Sequence, residues 1–316
     1  MFSILKTKFP RAYEYYVHLK CLRKISYIKK KKELPSDDYK KIIEKEYLLK
    51  LGHELNWNNL QSYTEKMQWE KIYNLDPRKT ILADKVLVRK WVEEKIGSKY
   101  LIPLLGVWDN FDDIDFDKLP DRFVLKTNHG SGTNLIVKNK SLLNIRSAKR
   151  KFDDWMKIDF AFADSIQLHY SKIPRKILAE EYLETSLGEL QDYKFLCFGG
   201  KPYYCWVDLG RFKKHTRTVF DMEWKRQEWT QACYGTYPGS IEKPVNYEEM
   251  ISIAKVLSND FEQVRVDLYN VEGKIYFGEM TFTNGSGLDK IIPQKYDEIL
   301  GDLWKISIDK KNIGDN

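Results

Sequence analysis

The sequence predicts an α+β fold in which helices come first, strands and helices then alternate, and a long antiparallel β portion follows. Apolar residues recur at helical spacing between residues 38 and 100. From residue 100 onward, short apolar runs bounded by turn residues indicate strands. The runs at 262–273 and 274–280 flank Asn270 to Gly273 and are typical of a β-hairpin.

The helical region divides at residues that begin or end helices. The first helix ends at Gly52, the second begins after the N-cap residue Ser62, and the third runs from Pro77 to Gly97. Two further helices are predicted at 146–158 and 247–260. The predicted strands are 100–108, 122–128, 134–139, 176–183, 193–211, 262–273 and 274–280.

Length and composition indicate a globular chain. The 316 residues are enough for two packed domains or one large domain with a lid. Hydrophobic residues make up 42% and charged residues 31%, which excludes wholesale disorder. Mean hydropathy is −0.55, no apolar run approaches the roughly 18 residues of a membrane span, and no secretory signal is recognised. A cytoplasmic location is therefore expected.

Positive charge is concentrated at the N-terminus. Residues 1–32 hold ten Lys or Arg side chains and one Glu, whereas the formal net charge of the whole chain is +7. The remainder is thus slightly negative, which argues against nucleic acid as a partner. Aromatic and aliphatic residues interleave with the bases, so this arm either contacts an anionic membrane surface, at the inner face of the cell membrane, or packs one face on the body as a solvated helix.

A glycine-rich segment, residues 128–134, lies between two predicted strands. Its glycines allow the backbone N–H groups to curl around an anion, and Ser131 and Thr133 add hydroxyl groups. Lys126, just before it, would place an ammonium group beside the same anion. No GK[ST] follows, so the segment is not a P-loop, and a plain hairpin turn is the alternative.

Carboxylates stand at two other strand ends. Glu180 and Glu181 follow an apolar run and would need a donor, such as an adenine amino group, unless that strand emerges into solvent. Arg265 and Asp267 alternate with apolar residues, and Glu279 lies across the hairpin from them. Two carboxylates with a neutral oxygen suit Mg²⁺, and an adjacent Arg could stabilise a transferred phosphoryl group, although a surface charge pair is the alternative.

The running order of these motifs resembles that of the ATP-grasp superfamily, in which two α+β subdomains with antiparallel sheets clasp ATP. Residues 83–90 are similar to its D-K-x-x-x-[KR] helix. More narrowly, 84–97, 100–132 and 277–287 resemble the TupA-like branch, over about residues 50 to 305. That branch is associated with bacterial surface-polysaccharide biosynthesis, including teichuronopeptide, and its members are often labelled glycosyltransferases.

The resemblance implies roles for individual residues. The nucleotide-binding set is Arg89 and Lys126 at phosphate, His129, Gly130, Ser131, Gly132 and Thr133 in a loop over the triphosphate, Glu180, Glu181 and Leu183 at adenine, and Asp192 at ribose. Arg265 and Lys126 would be catalytic, and Asp267 and Glu279 would bind Mg²⁺. The superfamily usually ends E-x-N; here Thr281 takes that position, and Asn284 is the other candidate for third ligand.

The resemblance also implies a division into four segments. Residues 1–50 form a basic helical arm, 51–120 a helical and α/β subdomain, 121–184 the subdomain with the glycine-rich phosphate loop, and 185–316 the C-terminal subdomain with the metal site.

The implied activity is ligation of a carboxylate to an amine with ATP and Mg²⁺, through an acylphosphate. The expected partners are a glycan or uronic-acid precursor of capsule or cell wall and an amine or amino acid. Arg211, Lys213, Lys214 and Arg217 could bind the uronate carboxylate, and Trp206, Trp224 and Trp229 could stack on sugars; the alternative is a solvated basic loop with core tryptophans.

Two competing functions remain open from the sequence. A glycosyltransferase using a sugar nucleotide is disfavoured, because the D-x-D candidates between Asp113 and Asp117 lie in a polar loop. A non-catalytic assembly protein at the membrane is disfavoured by the intact set of Lys126, Arg265, Asp267 and Glu279.

Overall fold

The computed structural model describes residues 10–185, 190–210, 215–231 and 234–306. Contacts divide the chain into two compact units. Unit 1 draws on residues 1–39, 84–86 and 103–182, and unit 2 on residues 40–83, 87–102 and 183–316. Both units contain helices and an antiparallel sheet, so the predicted α+β class is confirmed. The four predicted segments stay a prediction.

The elements follow the chain in the predicted order. The helices are α1 Pro10–Lys32, α2 Asp37–Leu51, α3 Tyr63–Tyr73, α4 Pro77–Ala83, α5 Val88–Ile96, α6 Ile145–Trp155, α7 Tyr247–Ser258 and α8 Lys295–Leu303. The strands are β1 Leu104–Trp108, β2 Phe123–Thr127, β3 Asn134–Val137, β4 Ile177–Glu181, β5 Asp192–Phe198, β6 Lys201–Leu209, β7 Thr216–Asp221, β8 Thr230–Gln231, β9 Gln263–Val271, β10 Lys274–Thr281 and β11 Ile291–Ile292. None of the described helices combines the length and apolar character needed to cross a bilayer.

Helix boundaries follow local chemistry. The Ser62 side chain accepts a hydrogen bond from the Glu65 amide, and the Glu65 carboxylate accepts one from the Ser62 amide, so α3 begins with a capping box. Gly97 takes the positive φ of +96° that ends α5. The single helix predicted from Pro77 to Gly97 is wrong, because Asp84 accepts from the Val86 amide and from Asn128, which interrupts the helix between α4 and α5.

Unit 1 contains a four-stranded antiparallel sheet in the order β1-β4-β2-β3. Alternation along β2 sends Phe123 and Leu125 into a core with Ile177, Ala179 and residues of α6. Lys126 belongs to the opposite face of this sheet, because it stands out of phase with those core residues.

Unit 2 contains a five-stranded antiparallel sheet in the order β10-β9-β5-β6-β7. The predicted strand run 193–211 is in fact two strands, because Gly199 and Gly200 both adopt positive φ and turn the chain. A strand, β7, also runs through the segment around Arg217, for which a solvated basic loop was the alternative interpretation. One sheet face packs apolar side chains, among them Val207 and Leu268, against α7.

A bulge sets the register of the predicted hairpin. The pairing of β9 with β10 shifts between Phe277 and Glu279, so that Glu279 stands opposite Asp267 and Thr281 opposite Arg265. A Cβ on Gly278 would lie only 3.0 Å from the Asp267 carbonyl oxygen, a close contact that favours glycine at this position.

Candidate functional site

In unit 1, the predicted phosphate lysine is paired with a predicted adenine residue. The Lys126 Nζ lies 2.5 Å from the Glu180 Oε2, and the two side chains keep 19% and 9% of their exposure. The pair joins diagonal positions on β2 and β4, since Lys126 stands opposite Leu178 and Glu180 opposite Val124. The next carboxylate, Glu181, is exposed at the end of β4.

The glycine loop, residues 128–134, is fixed at its base. The side-chain amide nitrogen of Asn128 donates to the Asp84 carboxylate and the Pro174 carbonyl, and the side-chain oxygen accepts from the backbone amide of Lys176. Across the loop, the hydroxyls of Thr127 and Thr133 lie 2.6 Å apart. Lys85 donates to the Gly130 carbonyl. These bonds leave Ser131 and Gly132 exposed at the tip, while Gly130 and Thr133 on either side are buried.

Steric and electrostatic constraints hold the first half of the loop. A Cβ on Gly130 would lie 2.2 Å from the Phe160 ring, so only glycine fits. The neighbouring His129 packs edge-on against the same ring at 5.4 Å and is 2% exposed. Burial lowers the pKa of His129 to about 4, although the nearby carbonyls of Ile158 and Trp155 partly oppose this change. His129 is therefore neutral at pH 7.

In unit 2, four side chains of β9, β10 and the following turn converge on the guanidinium of Arg265. We name Arg265, Asp267, Glu279, Thr281 and Asn284 the Arg265 cluster. Arg265 donates to both Asp267 oxygens at 2.6 and 2.7 Å and to the Glu279 Oε1 at 3.0 Å. It also donates to Thr281 and Asn284. Burial alone would lower the Arg265 pKa, but the facing carboxylates raise it above its ordinary value.

The Arg265 cluster extends to a lysine that the sequence analysis did not single out. Lys194, on β5, is 2% exposed, and its Nζ lies 2.6 Å from carboxylate oxygens of both Asp192 and Asp267. Asp192, predicted to contact ribose, therefore lies in an ion pair with Lys194. The signal was present in the sequence: Asp192 and Lys194 are two residues apart in an otherwise apolar strand, which places both on one face.

A second buried pair lies further along the same sheet. Arg217 donates to both Asp208 oxygens at 2.7 and 2.8 Å, and its other nitrogen donates to Gln231, which also accepts from Asn284. Burial would raise the Asp208 pKa, but Arg217 holds it well below the ordinary value. Arg217, predicted to bind a uronate, is thus already bound to a carboxylate of its own chain.

The other predicted site residues lie in varied surroundings. Trp206 and Trp229 are fully buried in the core, so they are not available to stack on a sugar, whereas Trp224 is half-buried. Arg211, Lys213 and Lys214 lie outside the described residues. Arg89 donates to the Ile102 carbonyl at 2.7 Å, and Leu183 is half-buried just after β4.

The turn Asn284–Gly287, which carries one member of the Arg265 cluster, is held in place by hydrogen bonds from helix α3. Ser286 has a φ of +57°, a conformation that a residue with a side chain adopts at a cost. Its carbonyl accepts from Lys71 at 3.0 Å, and the Gly287 carbonyl accepts from Gln68 at 2.8 Å. Both donors are buried on α3. The sequence analysis missed them, because a helix face gives no indication of which distant turn it will meet.

Magnesium, the metal that the resemblance implies, can be tested against the donor atoms. Oxygens of Asp267, Glu279, Thr281 and Asn284 already surround one cationic group, and carboxylate and neutral oxygens are what Mg²⁺ prefers. In the part of the chain that the structure describes, no group of three or more His, Cys, Asp and Glu forms a metal site. A neutral oxygen of Thr281 or Asn284 would therefore have to complete the ligand set.

The comparisons with known proteins give one strong match. Residues 65–305 match the family model described as TupA-like ATPgrasp. The search among curated proteins gives no match.

Several solved structures are similar at a lower level. D-alanine–D-alanine ligase from Helicobacter pylori has 13% identity, covering 72% of this chain and 62% of that chain, with a TM-score of 0.40. The same enzyme from Bacillus anthracis has 19% identity, 71% and 66% coverage and a TM-score of 0.41. N5-carboxyaminoimidazole synthase from Aspergillus clavatus has 12% identity, 64% and 44% coverage and a TM-score of 0.36. This chain spans less than two thirds of each, and similarity at this level is too low to indicate a shared activity.

Proposed function

The chain belongs to the TupA-like ATP-grasp family, and from this premise we propose that it is an ATP- and Mg²⁺-dependent ligase that joins a carboxylate to an amine. The observation that carries the proposal is the Arg265 cluster. Its guanidinium, two carboxylates and neutral oxygens converge on one sheet face of unit 2, with Lys194 beside them. Charged groups gathered in this way suit a reaction that moves a highly charged phosphoryl group.

The proposed reaction has two steps. A carboxylate oxygen of the first substrate attacks the γ-phosphorus of ATP, the bond to the β-phosphate oxygen breaks, and ADP leaves. The amine of the second substrate then attacks the carbonyl carbon of the acylphosphate, inorganic phosphate leaves, and the amine loses a proton. Positioning and neutralisation of charge supply most of the catalysis in such a transfer.

Residues of this chain take the following proposed parts. Arg265 stabilises negative charge on the transferred phosphoryl group. Mg²⁺, when bound by Asp267, Glu279 and Asn284 or Thr281, would neutralise charge on the phosphate oxygens. In unit 1, Lys126 contacts phosphate, and the tip of the glycine loop offers backbone N–H groups to the triphosphate.

The finer proposal concerns the substrate. The resemblance to the branch associated with surface polysaccharides supports a glycan carboxylate, such as a uronic acid of a capsule or cell-wall precursor, joined to an amino acid or amine. The reaction would take place in the cytoplasm, where ATP is available.

The first test is ligand-dependent thermal unfolding of the full chain with ATP, ADP, UDP-glucuronate and UDP-glucose, each with and without Mg²⁺. A ligand that binds the folded state at about 100 times its Kd adds roughly 2.7 kcal/mol of stability. ATP and ADP with Mg²⁺ are expected to raise the Tm. A rise with the sugar nucleotides alone would overturn the ligase proposal in favour of glycosyl transfer.

A second test asks whether the proposed activity depends on the Arg265 cluster. Glu279→Gln is expected to abolish phosphate release from ATP in the presence of uronates and amines. The matched control is Glu298→Gln, a change of the same kind at an exposed position of α8, which should retain full turnover. Near-normal turnover by the Glu279 variant would show that the site is elsewhere.

A further inference from the structure

The arm helix α1 has a packed side and an exposed side. One face packs on other parts of unit 1. The His18 ring lies 2.6 Å from the Asp154 carboxylate, and Ser147 on α6 donates to Glu14. Lys24 and Lys32 form ion pairs at 2.9 Å with Asp164 and Asp159. This packing agrees with the alternative in which one face of α1 lies on the folded protein, and it defines the opposite face as the one exposed to solvent.

The opposite face, which we name the outer face, carries exposed apolar side chains. Tyr15, Leu19 and Leu22 follow one another at spacings of four and three residues and are 59%, 37% and 41% exposed. Residues at this spacing form one stripe along a helix. Tyr27, 54% exposed, lies outside this stripe, further round the helix. Exposed apolar side chains grouped in a patch are typical of a surface that contacts a partner.

The charge of the outer face has a single sign. Lys20, Arg23, Lys29 and Lys30 are exposed there. The one acidic residue of α1, Glu14, is bonded to α6 instead. The helix carries eight basic residues against that one acid, a net charge of +7, which equals the formal charge of the whole chain. The rest of the chain is therefore neutral in total, and the cationic character belongs to this helix.

We propose that the outer face of α1 binds the anionic surface of a lipid bilayer, with Tyr15, Leu19 and Leu22 entering the interface and the four basic side chains contacting lipid phosphates. Apolar and basic residues together distinguish this partner from a polyanion such as nucleic acid, which gains little from exposed leucines. The binding would hold unit 1 at a membrane whatever reaction the protein performs.

The test measures sedimentation of the full chain with vesicles of phosphatidylcholine alone and of phosphatidylcholine mixed with an equal amount of phosphatidylglycerol. Binding is expected to the anionic vesicles and to fall with added salt. Replacing Lys20, Arg23, Lys29 and Lys30 with Glu should weaken it on the order of 100-fold or more, since each basic residue near such a surface contributes about 1 kcal/mol.

Two further variants make the test specific. Leu19→Ser combined with Leu22→Ser should weaken vesicle binding about 10-fold, because less apolar area enters the interface. The matched control reverses four exposed lysines elsewhere, Lys90, Lys118, Lys201 and Lys225, and should bind as the unaltered chain does. The proposal is wrong if anionic vesicles do not bind, if the control weakens binding equally, or if the Leu19 and Leu22 variant binds normally. In that last case the partner is a free polyanion.

Discussion

The predicted site residues of the two units are held in contrasting ways. In unit 1, side-chain hydrogen bonds of Asn128, Lys85 and the two threonines shape the glycine loop, and Lys126–Glu180 is a partly exposed ion pair. In unit 2, Arg265 and Lys194 share Asp267 in a buried network, and the sheet holds a second buried pair. The first arrangement depends mainly on side-chain hydrogen bonds, and the second on mutual neutralisation of buried charges.

The contrast predicts how much stability each unit loses when one partner of an ion pair is replaced. A buried charge that loses its partner is costly, because no water replaces the lost interaction. A partly exposed charge that loses its partner is hydrated instead. The same chemical substitution should therefore have unequal effects in the two units, and the effects should decrease in the order given below.

The largest effect is expected for Asp267→Asn. It leaves Arg265 and Lys194 buried with one carboxylate fewer, so the free energy of unfolding should fall by about 3–5 kcal/mol. Urea-induced unfolding measures this loss. A loss of about 1 kcal/mol or less, as expected for an exposed ion pair, would contradict the buried network.

The next effect concerns His129 and pH. Its pKa of about 4 in the folded chain lies below the ordinary value of 6.5, so the folded state resists protonation. The stability that comes from neutral His129 is present above pH 6.5 and is lost as the pH falls towards 4. The loss is about 3 kcal/mol at most. His129→Leu should remove this part of the acid destabilisation, as seen by comparing unfolding at pH 7 and pH 4.5. Parallel pH profiles would contradict it.

Glycine replacements should show which constraint shapes the loop. Gly130→Ala is expected to cost about 1–3 kcal/mol, because the new methyl group overlaps the Phe160 ring. Gly132→Ala, at a φ of +72° with nothing within 4 Å, should cost about 1–2 kcal/mol through backbone strain alone. Adding Phe160→Leu should rescue the first variant and not the second. Equal rescue of both would show that crowding is not the cause.

The smallest effect on stability is expected for Glu180→Gln, the counterpart of Asp267→Asn in unit 1. Its partner Lys126 keeps 19% of its exposure, so the cost should be about 1 kcal/mol by the same urea measurement. A loss as large as that of Asp267→Asn would remove the contrast between the two units.

Much of the fold and part of the candidate site follow from local sequence patterns. A two-residue period along β9 places Arg265 and Asp267 on one face, as predicted. The bulge between Phe277 and Glu279, which brings Glu279 opposite Asp267, does not follow from that period. The break between α4 and α5 could not be predicted, because Asp84 is bonded to Asn128, 44 residues away. The burial of Arg217 also depends on a distant partner. A basic residue between two threonines predicts an exposed position, but Arg217 pairs with Asp208 on the neighbouring strand.

The interleaving of the two units also affects the order in which the chain can fold as it is synthesised. The last segment of unit 1 ends at Tyr182, whereas unit 2 needs residues 183–316 as well as its earlier segments. At a typical rate of synthesis those remaining residues take on the order of ten seconds. During that interval unit 1 has all of its strands, while α2 to α5 have emerged without the sheet on which unit 2 is built. The early helices are therefore the part of this chain most in need of protection on the ribosome.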